Sequence, residues 1–335
     1  MQIQYSIVSA NSMLYQTAIE QLIASQGLRY ESDIEYFCIA HNQQQVLVGC
    51  VGLAGHILKC FAIENNYQGA GISRAMVTEI ILCAYQLHRK SLSIFTAPDK
   101  VSIFQSMGFT ALTSLTRSSV LLVNRPEQLL ALQHQLSRHK IIGKRIAAIE
   151  MNANPFTKGH AYLIEQAAQA CDWVHVFVVR EENKPFSFSD RLAMVRNGCQ
   201  HLRNITVHEG NDYMISKRTF PSYFLKESHL VNQLHAEIDC EIFVRYIAPC
   251  LGITHRYIGS EPNCPITQNY NQVMMAMLPP QISVVEIKRL ALSGISISAS
   301  TVRNNLLNAT TLVASLLPIS TINYLIEHHG YALQI

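Results

Sequence analysis

The chain has 335 residues, of which 49% are hydrophobic and 15% are charged, and its formal net charge at pH 7 is +3. This length suggests two domains of about 100–200 residues each, and the composition excludes an intrinsically disordered protein. There is no long apolar run, no signal-peptide pattern at the start and no dense basic block, so we expect no membrane span, no membrane partner and no nucleic-acid partner.

The first 123 residues are predicted to form one α+β domain, from their hydrophobic periodicity. Predicted helices cover residues 13–25 and 71–86, and a shorter helix ends at Gly108. Predicted strands lie near residues 35–40, 46–53, 56–63 and 92–96. Residues 124–140 then predict a linker helix, because leucines recur at helical spacing after a possible cap at Asn124 and a proline at position 126.

A glycine-containing loop in this first domain reads Asn-Asn-Tyr-Gln-Gly-Ala-Gly-Ile-Ser-Arg over residues 65–74. Such a loop at a helix start offers backbone N–H groups to a pyrophosphate, although a simple glycine turn would have the same composition. The loop resembles the Q/R-x-x-G-x-G/A loop of GNAT acyltransferases, and Ile-Phe-Gln-Ser-Met-Gly-Phe at 103–109 resembles a later element of that family.

This resemblance covers most of residues 1–123 and implies a GNAT-like domain that binds an acyl-CoA or pantetheine group. The implied binding residues are Gln68, Gly69, Gly71 and Ser73. Ser73 departs from the small residue of the family pattern. No residue stands out as a general base, because His56, Glu64 and Tyr67 are each better explained as strand-end or loop residues.

Predicted strands and helices alternate over residues 141–335. The predicted strands are 145–151, 173–180, 205–208, 255–260 and 283–287. The predicted helices are 160–170, 189–201, 223–237, 241–251 and 267–277, followed by closing helices. This alternation predicts a Rossmann-like domain with a parallel sheet and a site at the carboxyl ends of its strands.

Two segments of this second domain carry the signs of a phosphate site. Residues 152–160 read Asn-Ala-Asn-Pro-Phe-Thr-Lys-Gly-His between a predicted strand and a predicted helix, where free N–H groups and the helix dipole attract a phosphate. Residues 297–303 read Ile-Ser-Ala-Ser-Thr-Val-Arg and add hydroxyls and an arginine at another helix start. Each alone could be an ordinary helix start, but the pair predicts a nucleoside triphosphate site.

Together the two segments resemble the HxGH (or TxGH) and ISxSxxR signatures of the nucleotidyltransferase superfamily, whose members attack the α-phosphate and expel pyrophosphate. Thr157 occupies the place of the first histidine. The resemblance implies catalytic roles for Lys158, His160 and Arg303, with Mg²⁺ accompanying the ATP substrate and no protein ligand assigned to it. The predicted ATP-binding residues are Asn152, Asn154, Pro155, Phe156, Thr157, Gly159, Ser298, Ser300 and Thr301.

Five further positions could belong to this site or to ordinary loops and helices. Gly259 and Glu261 lie at a predicted strand end that faces the same crevice, and they are predicted to line the nucleotide pocket together with Tyr270 and Asn271. A solvated Glu261 in a strand-to-helix connection fits the spacing equally well. Arg191 follows a capped helix start, and a phosphate contact is its minor interpretation.

The order of these features resembles the citrate (pro-3S)-lyase ligase family over nearly the whole chain. The matching segments are residues 151–160, Thr-Phe-Pro-Ser-Tyr-Phe-Leu-Lys at 219–226, residues 259–262 and Tyr-Asn at 270–271. The resemblance implies that acetate attacks ATP to give acetyl-AMP and pyrophosphate. The acetyl group then passes to the thiol of a CoA-like prosthetic group on the lyase acyl carrier subunit, which the GNAT-like domain could hold.

Two other functions remain open at this point. One is a GNAT acetyltransferase that uses acetyl-CoA, and the other is an adenylyltransferase that makes a dinucleotide cofactor. The acetate pocket cannot be assigned, since Tyr213, Ser216 and Thr219 are suggested only by loop position.

The nine cysteines are odd in number and never form Cys-x-x-Cys, which predicts buried, reduced thiols and a cytoplasmic protein.

Overall fold

The computed structural model describes residues 2–114, 119–180, 184–211, 213–214, 228–261, 264–292, 295–306 and 310–333. The chain forms two compact units. The first unit extends to Ala131 and also includes the later segment that ends at Ile238, and the second unit takes the rest. The sequence-based limits 1–123, 124–140 and 141–335 stay predictions.

The first unit is built on a seven-stranded sheet. Its strands are β1 Gln4–Ser9, β2 Tyr36–His41, β3 Leu47–Ala54, β4 Ile57–Ile63, β5 Ser93–Thr96, β6 Thr110–Ala111 and β7 Val120–Val123, in the order β1-β2-β3-β4-β5-β7-β6. Its helices are α1 Met13–Ser25, α2 Ile72–Gln86 and α3 Val101–Gln105, and α4 Pro126–Ser137 contains the boundary between the units. One core cluster around Phe37 and Ile23 and another around Met76 and Ile80 show that both faces of the sheet are packed.

Strands β4 and β5 are parallel and pair over a very short stretch. Ile57 pairs with Ser93 and Leu58 with Ile94, after which β4 runs on to Ile63 without a β5 partner. The loop of residues 64–71 follows directly and starts α2. Strands β4 and β5 are therefore no longer paired where β4 leads into the glycine-containing loop.

The second unit is built on a five-stranded parallel sheet, which confirms the predicted α/β architecture. Its strands are β8 Ile146–Met151, β9 Trp173–Val178, β10 Ile205–Glu209, β11 His255–Gly259 and β12 Ser283–Ile287, in the order β10-β9-β8-β11-β12. A hairpin of β13 Ala291–Leu292 and β14 Ile295–Ser296 follows. The chain leaves β8 in one direction for β9 and returns on its other side at β11, so the β8–β11 crevice is the topological switch point.

The helices of this unit flank the parallel sheet. They are α5 Lys158–Ala170, α6 Phe188–Gly198, α8 Ala248–Leu251, α9 Pro265–Met277, α10 Ala299–Asn305, α11 Thr310–Leu316 and α12 Ile319–His329. Helix α7, Ser228–Ile242, belongs to the first unit as far as Ile238 and to the second unit from Asp239. A π-helical segment, Phe243–Ile247, joins α7 to α8, so the predicted break between residues 237 and 241 was wrong. The predicted start of this helix at residue 223 lies outside the described residues.

The two faces of the parallel sheet differ in polarity. One face contributes alternate strand residues such as Ile149 and Val176 to the main apolar cluster of the unit. The opposite face carries buried polar groups. There the Arg256 guanidinium pairs with Glu150 at 2.6 Å and lies 4.5 Å from the centre of the Phe243 ring, which neutralises both buried charges.

Two histidines on this polar face form a buried pair. His175 Nδ1 and His208 Nε2 are 2.9 Å apart, and the ring of His208 stacks on Phe177. Burial, with a smaller contribution from His139, lowers the pKa of His175 to about 4. Burial and the neighbouring histidines lower the pKa of His208 to about 3. Both rings are therefore neutral at physiological pH.

We expect the free energy of unfolding of the second unit to fall as the pH is lowered from 7 to 5. The folded pKa values of His175 and His208 lie below the ordinary value of 6.5, so the unfolded chain binds protons first. For each ring, the free energy of unfolding then falls by up to about 1.4 kcal/mol per pH unit below about pH 6.5. Urea unfolding followed by the fluorescence of Trp173, the chain's one tryptophan, measures this loss in the unit that contains the pair.

The exposed His201 provides a matched control for this pH dependence. A His201→Gln variant should keep the wild-type pH dependence, whereas a His175→Leu/His208→Leu double variant should lose most of it. A free energy of unfolding that stays constant between pH 7 and pH 5 in the unmodified chain would contradict the explanation.

Candidate active site

The first predicted phosphate segment forms the junction between β8 and α5. After Met151 the chain turns through residues 152–156, with a cis peptide bond between Asn154 and Pro155 and with Ala153 in the left-handed region at φ 49°. Thr157 caps α5, because its Oγ1 accepts the backbone N–H of His160 at 3.4 Å. In return, the backbone N–H of Thr157 donates to Nδ1 of His160 at 3.0 Å. This reciprocal cap fixes the His160 ring at the helix start.

The hydrogen bonds of His160 also determine its tautomer. Since Nδ1 accepts the N–H of Thr157, the proton of the neutral ring lies on Nε2. Burial and, to a smaller extent, the positive charge of Arg289 lower the pKa of His160 to about 4. The ring of Phe156, itself fully buried, stacks on His160 at 5.9 Å. His160 is thus a neutral N–H donor that keeps some solvent exposure, and no described residue bonds its Nε2.

The second predicted segment forms the start of α10 and contacts the first. Ser298 caps this helix, with its Oγ accepting the N–H of Thr301 at 3.0 Å. Arg303 donates from Nη1 to the carbonyl oxygen of Asn154 at 2.6 Å and from Nη2 to Ser300 Oγ at 3.0 Å. Arg303 and Asn154 are 149 residues apart in the sequence. The structure therefore brings the two predicted segments into direct contact.

Gly159 provides a second point of contact between these segments. A Cβ atom at this position would lie 3.4 Å from the carbonyl oxygen of Ile297, so the first turn of α5 packs directly against the start of the second segment. Ile297 in turn donates its N–H to the carbonyl of Leu290 at 2.9 Å. The first turn of α5, the start of α10 and the chain after β12 thus meet at one place.

The ends of β11 and β12 contribute the third part of the site. The carbonyl of Gly259 accepts from Asn271 Nδ2 at 3.0 Å. Glu261 is paired with Arg289, with 2.7 Å between Oε2 and Nη2, and its side chain is 7% exposed, so the solvated alternative was wrong. The backbone N–H of Arg289 also donates to Ser260 Oγ at 3.0 Å. Arg289 was not among the predicted site residues, although its position just after a parallel strand was an available signal.

Asn154 has a buried polar side chain in the first segment. It is 4% exposed, and its Nδ2 donates to the carbonyl of Lys184 at 3.2 Å. Its Oδ1 is buried without a hydrogen-bond partner among the described residues. Together with the Arg303 contact to its carbonyl, this makes Asn154 the link between the two segments.

Three of the residues considered for the site have protein partners for their polar groups. Lys158 donates from Nζ to the carbonyl of Ser315 at 2.8 Å, so its ammonium has a protein partner. Arg191 is fully buried and donates from Nη1 to the carbonyl and side chain of Asn152 at 2.7 and 2.8 Å. It therefore supports the loop from inside the protein. Tyr270 donates to Asp239.

The residues suggested for the acetate pocket are only partly described. Tyr213 is buried just after β10, and its backbone N–H donates to Asn211 Oδ1 at 2.9 Å. Ser216 and Thr219 lie outside the described residues, as do residues 219–226 of the family resemblance.

The loop of the first unit has its own local geometry. Gln68 donates from Nε2 to the carbonyl of Ile63 and to Asn65 Oδ1, both at 3.2 Å, and so ties the loop to the end of β4. Gly69 and Gly71 have φ values of +79° and +78°, and nothing lies within 4 Å of a Cβ built on either. Ser73 is in the first turn of α2. The loop is open on the side of these glycines, beside the free N–H groups of a long helix.

The described residues contain neither a membrane-spanning helix nor a metal-binding cluster. None of the described helices is both long and apolar enough to cross a bilayer. The described part of the chain also holds no group of three or more His, Cys, Asp or Glu side chains placed to bind a metal ion. All nine cysteines are free thiols, of which Cys250 and Cys264 are partly exposed.

Two protein-family models match the chain. Residues 146–325 match the model of the citrate lyase ligase C-terminal domain. Residues 7–121 match the model of the acetyltransferase (GNAT) domain. These matches agree with the fold class predicted from the sequence, a GNAT-like unit followed by a nucleotidyltransferase-like one.

Curated relatives extend this similarity over nearly the full chain. The citrate (pro-3S)-lyase ligase of Klebsiella pneumoniae is 42% identical over 316 residues, which is 92% of each chain. That of Haemophilus influenzae is 41% identical over 314 residues, 92% of this chain and 94% of the relative. A phosphopantetheine adenylyltransferase of Staphylococcus saprophyticus is 32% identical over 71 residues, 21% of this chain and 44% of that enzyme. The chain therefore belongs to the citrate (pro-3S)-lyase ligase family.

Proposed function

We propose that the chain is an AMP-forming acid–thiol ligase that acetylates the thiol of the CoA-like prosthetic group on the citrate lyase acyl carrier subunit, using acetate and ATP. The full-length similarity to ligases of this name supports the proposal. The observation that carries it in this chain is the contact between Arg303 and Asn154, which brings the two predicted phosphate-binding segments together.

The proposed reaction has two steps. A carboxylate oxygen of acetate attacks the α-phosphorus of ATP, the bond to the bridging oxygen of the β-phosphate breaks, and pyrophosphate leaves with the electron pair. The thiolate of the prosthetic group then attacks the carbonyl carbon of acetyl-AMP and AMP leaves. Activation is needed because a carboxylate is a poor acyl donor until its oxygen leaves as part of AMP.

The first step needs positioning and charge stabilisation rather than a covalent nucleophile. We assign the neutral Nε2–H of His160 to the α-phosphate and the guanidinium of Arg303 to the departing pyrophosphate. Thr157 and Ser298 cap the starts of α5 and α10. A helix start attracts phosphate oxygens through its free N–H groups and its dipole. Mg²⁺ is proposed as the counter-ion of the triphosphate, without a protein ligand.

The assignment of Lys158 as a third catalytic cation stays a prediction. Its Nζ bonds the carbonyl of Ser315 at 2.8 Å, and it would have to leave this partner to reach a phosphate. The other predicted ATP-binding residues, among them Asn152 and Pro155, shape the loop whose carbonyl groups receive Arg191 and Arg303. Their contact with nucleotide is likewise a proposal.

We assign the prosthetic arm to the first unit. The loop of Gln68 to Gly71 and the start of α2 offer backbone N–H groups at the place where β4 and β5 separate. A phosphate of a CoA-like arm suits this position, because the positive end of a helix dipole and open glycines face it without side-chain obstruction.

A Ser73→Glu variant is expected to lower the rate of carrier acetylation by about tenfold or more, while acetate-dependent exchange of pyrophosphate into ATP stays at the wild-type rate. A carboxylate in the first turn of a helix favours the helix, so the loss would reflect repulsion of the phosphate and not damage to α2. Acetylation is measured by the mass of the carrier subunit.

Thr78→Glu is the matched control, because Thr78 is an exposed residue of the same helix beyond its first turn. It should leave both rates unchanged. If Ser73→Glu acetylates the carrier as fast as Thr78→Glu, the arm binds elsewhere.

A further inference from the structure

Arg289 lies where the three parts of the site meet. Its backbone N–H bonds Ser260 at the end of β11, and the next residue, Leu290, accepts the N–H of Ile297 at the start of the second phosphate segment. The carbonyl oxygen of Ile297 in turn lies close to Gly159 on α5. The chain around Arg289 is therefore fixed to each element that the proposed function uses for phosphates.

The side chain of Arg289 has one protein partner among the described residues. Nη2 contacts Glu261 Oε2 at 2.7 Å, and the two side chains are 24% and 7% exposed. A guanidinium has five N–H donors, so most of the hydrogen-bonding capacity of Arg289 is not used by this contact. Its charge also acts on the neighbouring His160 ring.

The site needs more positive charge than the predicted residues supply. His160 is neutral, and Lys158 is bound to a backbone carbonyl, which leaves Arg303 as the one predicted cation placed between the two segments. A triphosphate carries several negative charges, and bidentate arginine contacts are among the strongest that a phosphate makes. A second arginine at the junction would supply that charge.

We propose that Arg289 is a further ligand of the ATP phosphates and that Glu261 is its counter-ion while the site is empty, so that ATP binding replaces the Glu261–Arg289 pair by a phosphate–Arg289 pair. This inference rests on the proposed function, in that ATP is the substrate. Glu261 then competes with ATP for Arg289, which is the opposite of the ligand role predicted for it from the sequence.

Direct binding of ATP and of adenosine to the full chain tests the exchange of partners. Isothermal titration calorimetry on Arg289→Gln should show ATP binding weakened about 10- to 100-fold, with adenosine binding unchanged because adenosine has no phosphate. Glu261→Gln should bind ATP several-fold more tightly than the wild type. Arg289→Lys, which keeps the charge without the fork, should fall between wild type and Arg289→Gln.

Arg196→Gln is the matched control, since Arg196 is an exposed arginine of the same unit whose guanidinium lies 3.7 Å from the exposed Glu209 carboxylate. It should bind both ligands like the wild type.

Unchanged ATP affinity in Arg289→Gln, an equal loss of adenosine affinity, or weaker ATP binding in Glu261→Gln would each overturn the proposal. A wild-type chain that binds ATP with these variant effects but shows no acetate-dependent exchange would contradict only the proposed function; one that binds no ATP would contradict both.

Discussion

His160→Ala is expected to lower the rate of acetate-dependent pyrophosphate exchange into ATP by about 100- to 1,000-fold, the usual effect of removing one preorganised donor from a developing oxyanion. The reciprocal cap with Thr157 keeps the proton of the ring on Nε2, and burial keeps the ring neutral. The donor is therefore oriented before the nucleotide binds. The measurement is the initial rate of label transfer from pyrophosphate to ATP at saturating acetate.

Two further readouts separate a donor role from a structural one. His160→Gln retains an N–H donor and should keep more activity than His160→Ala, whereas His201→Ala, at an exposed site of the same unit, should be fully active. Because the pKa of His160 is about 4, its titration should not change the exchange rate near pH 6.5. The pH profiles of the wild type and of His160→Gln should therefore have the same shape around pH 6.5. Full activity in His160→Ala would remove this residue from the site.

Arg191→Met is expected to lower the free energy of unfolding of the second unit by about 3–5 kcal/mol and to lower the exchange rate as well. Arg191 is fully buried, and its Nη1 donates to the carbonyl and side chain of Asn152 and to the carbonyl of Val179 at 3.0 Å. Its loss leaves these acceptors without their charged donor. The loop that precedes His160 would lose its support at the same time.

The control for this variant lies on the same helix. Arg196→Met removes an exposed arginine of α6, and its effect should stay within about 0.5 kcal/mol. Urea unfolding followed by Trp173 fluorescence compares the two variants. Equal stability of Arg191→Met and Arg196→Met would mean that the buried contacts of Arg191 contribute nothing.

Local sequence patterns were enough to predict much of this molecule. The helix Met13–Ser25 has the predicted bounds, because its apolar residues recur with helical spacing. The two phosphate segments were also found from local signals, a strand followed by a capped helix start in one and a serine cap in the other. Their ATP-binding role stays a prediction, although the structure brings the segments together.

The remaining features depend on contacts that are distant in sequence. The pairing of Arg289 with Glu261 follows from the adjacency of β11 and β12, which no local pattern encodes. The support of Asn152 by Arg191 spans 39 residues, so Arg191 could be read only as a residue of a helix start. The strands β1, β6 and β7 were missed because none shows a clear alternation of apolar and polar residues. Strand β1 is a largely exposed edge strand, β6 has two residues, and β7 is a continuous apolar run.

The most direct test of carboxylate activation is the exchange of labelled pyrophosphate into ATP by the purified chain in the absence of the carrier subunit. We expect exchange that requires acetate, that is lost in Arg303→Ala, and that yields acetyl-AMP detectable by mass spectrometry. Exchange that proceeds without acetate would favour a nucleotidyl transfer to another acceptor. No exchange at all, together with acetylation of the carrier from acetyl-CoA in the absence of ATP, would contradict the proposed function outright.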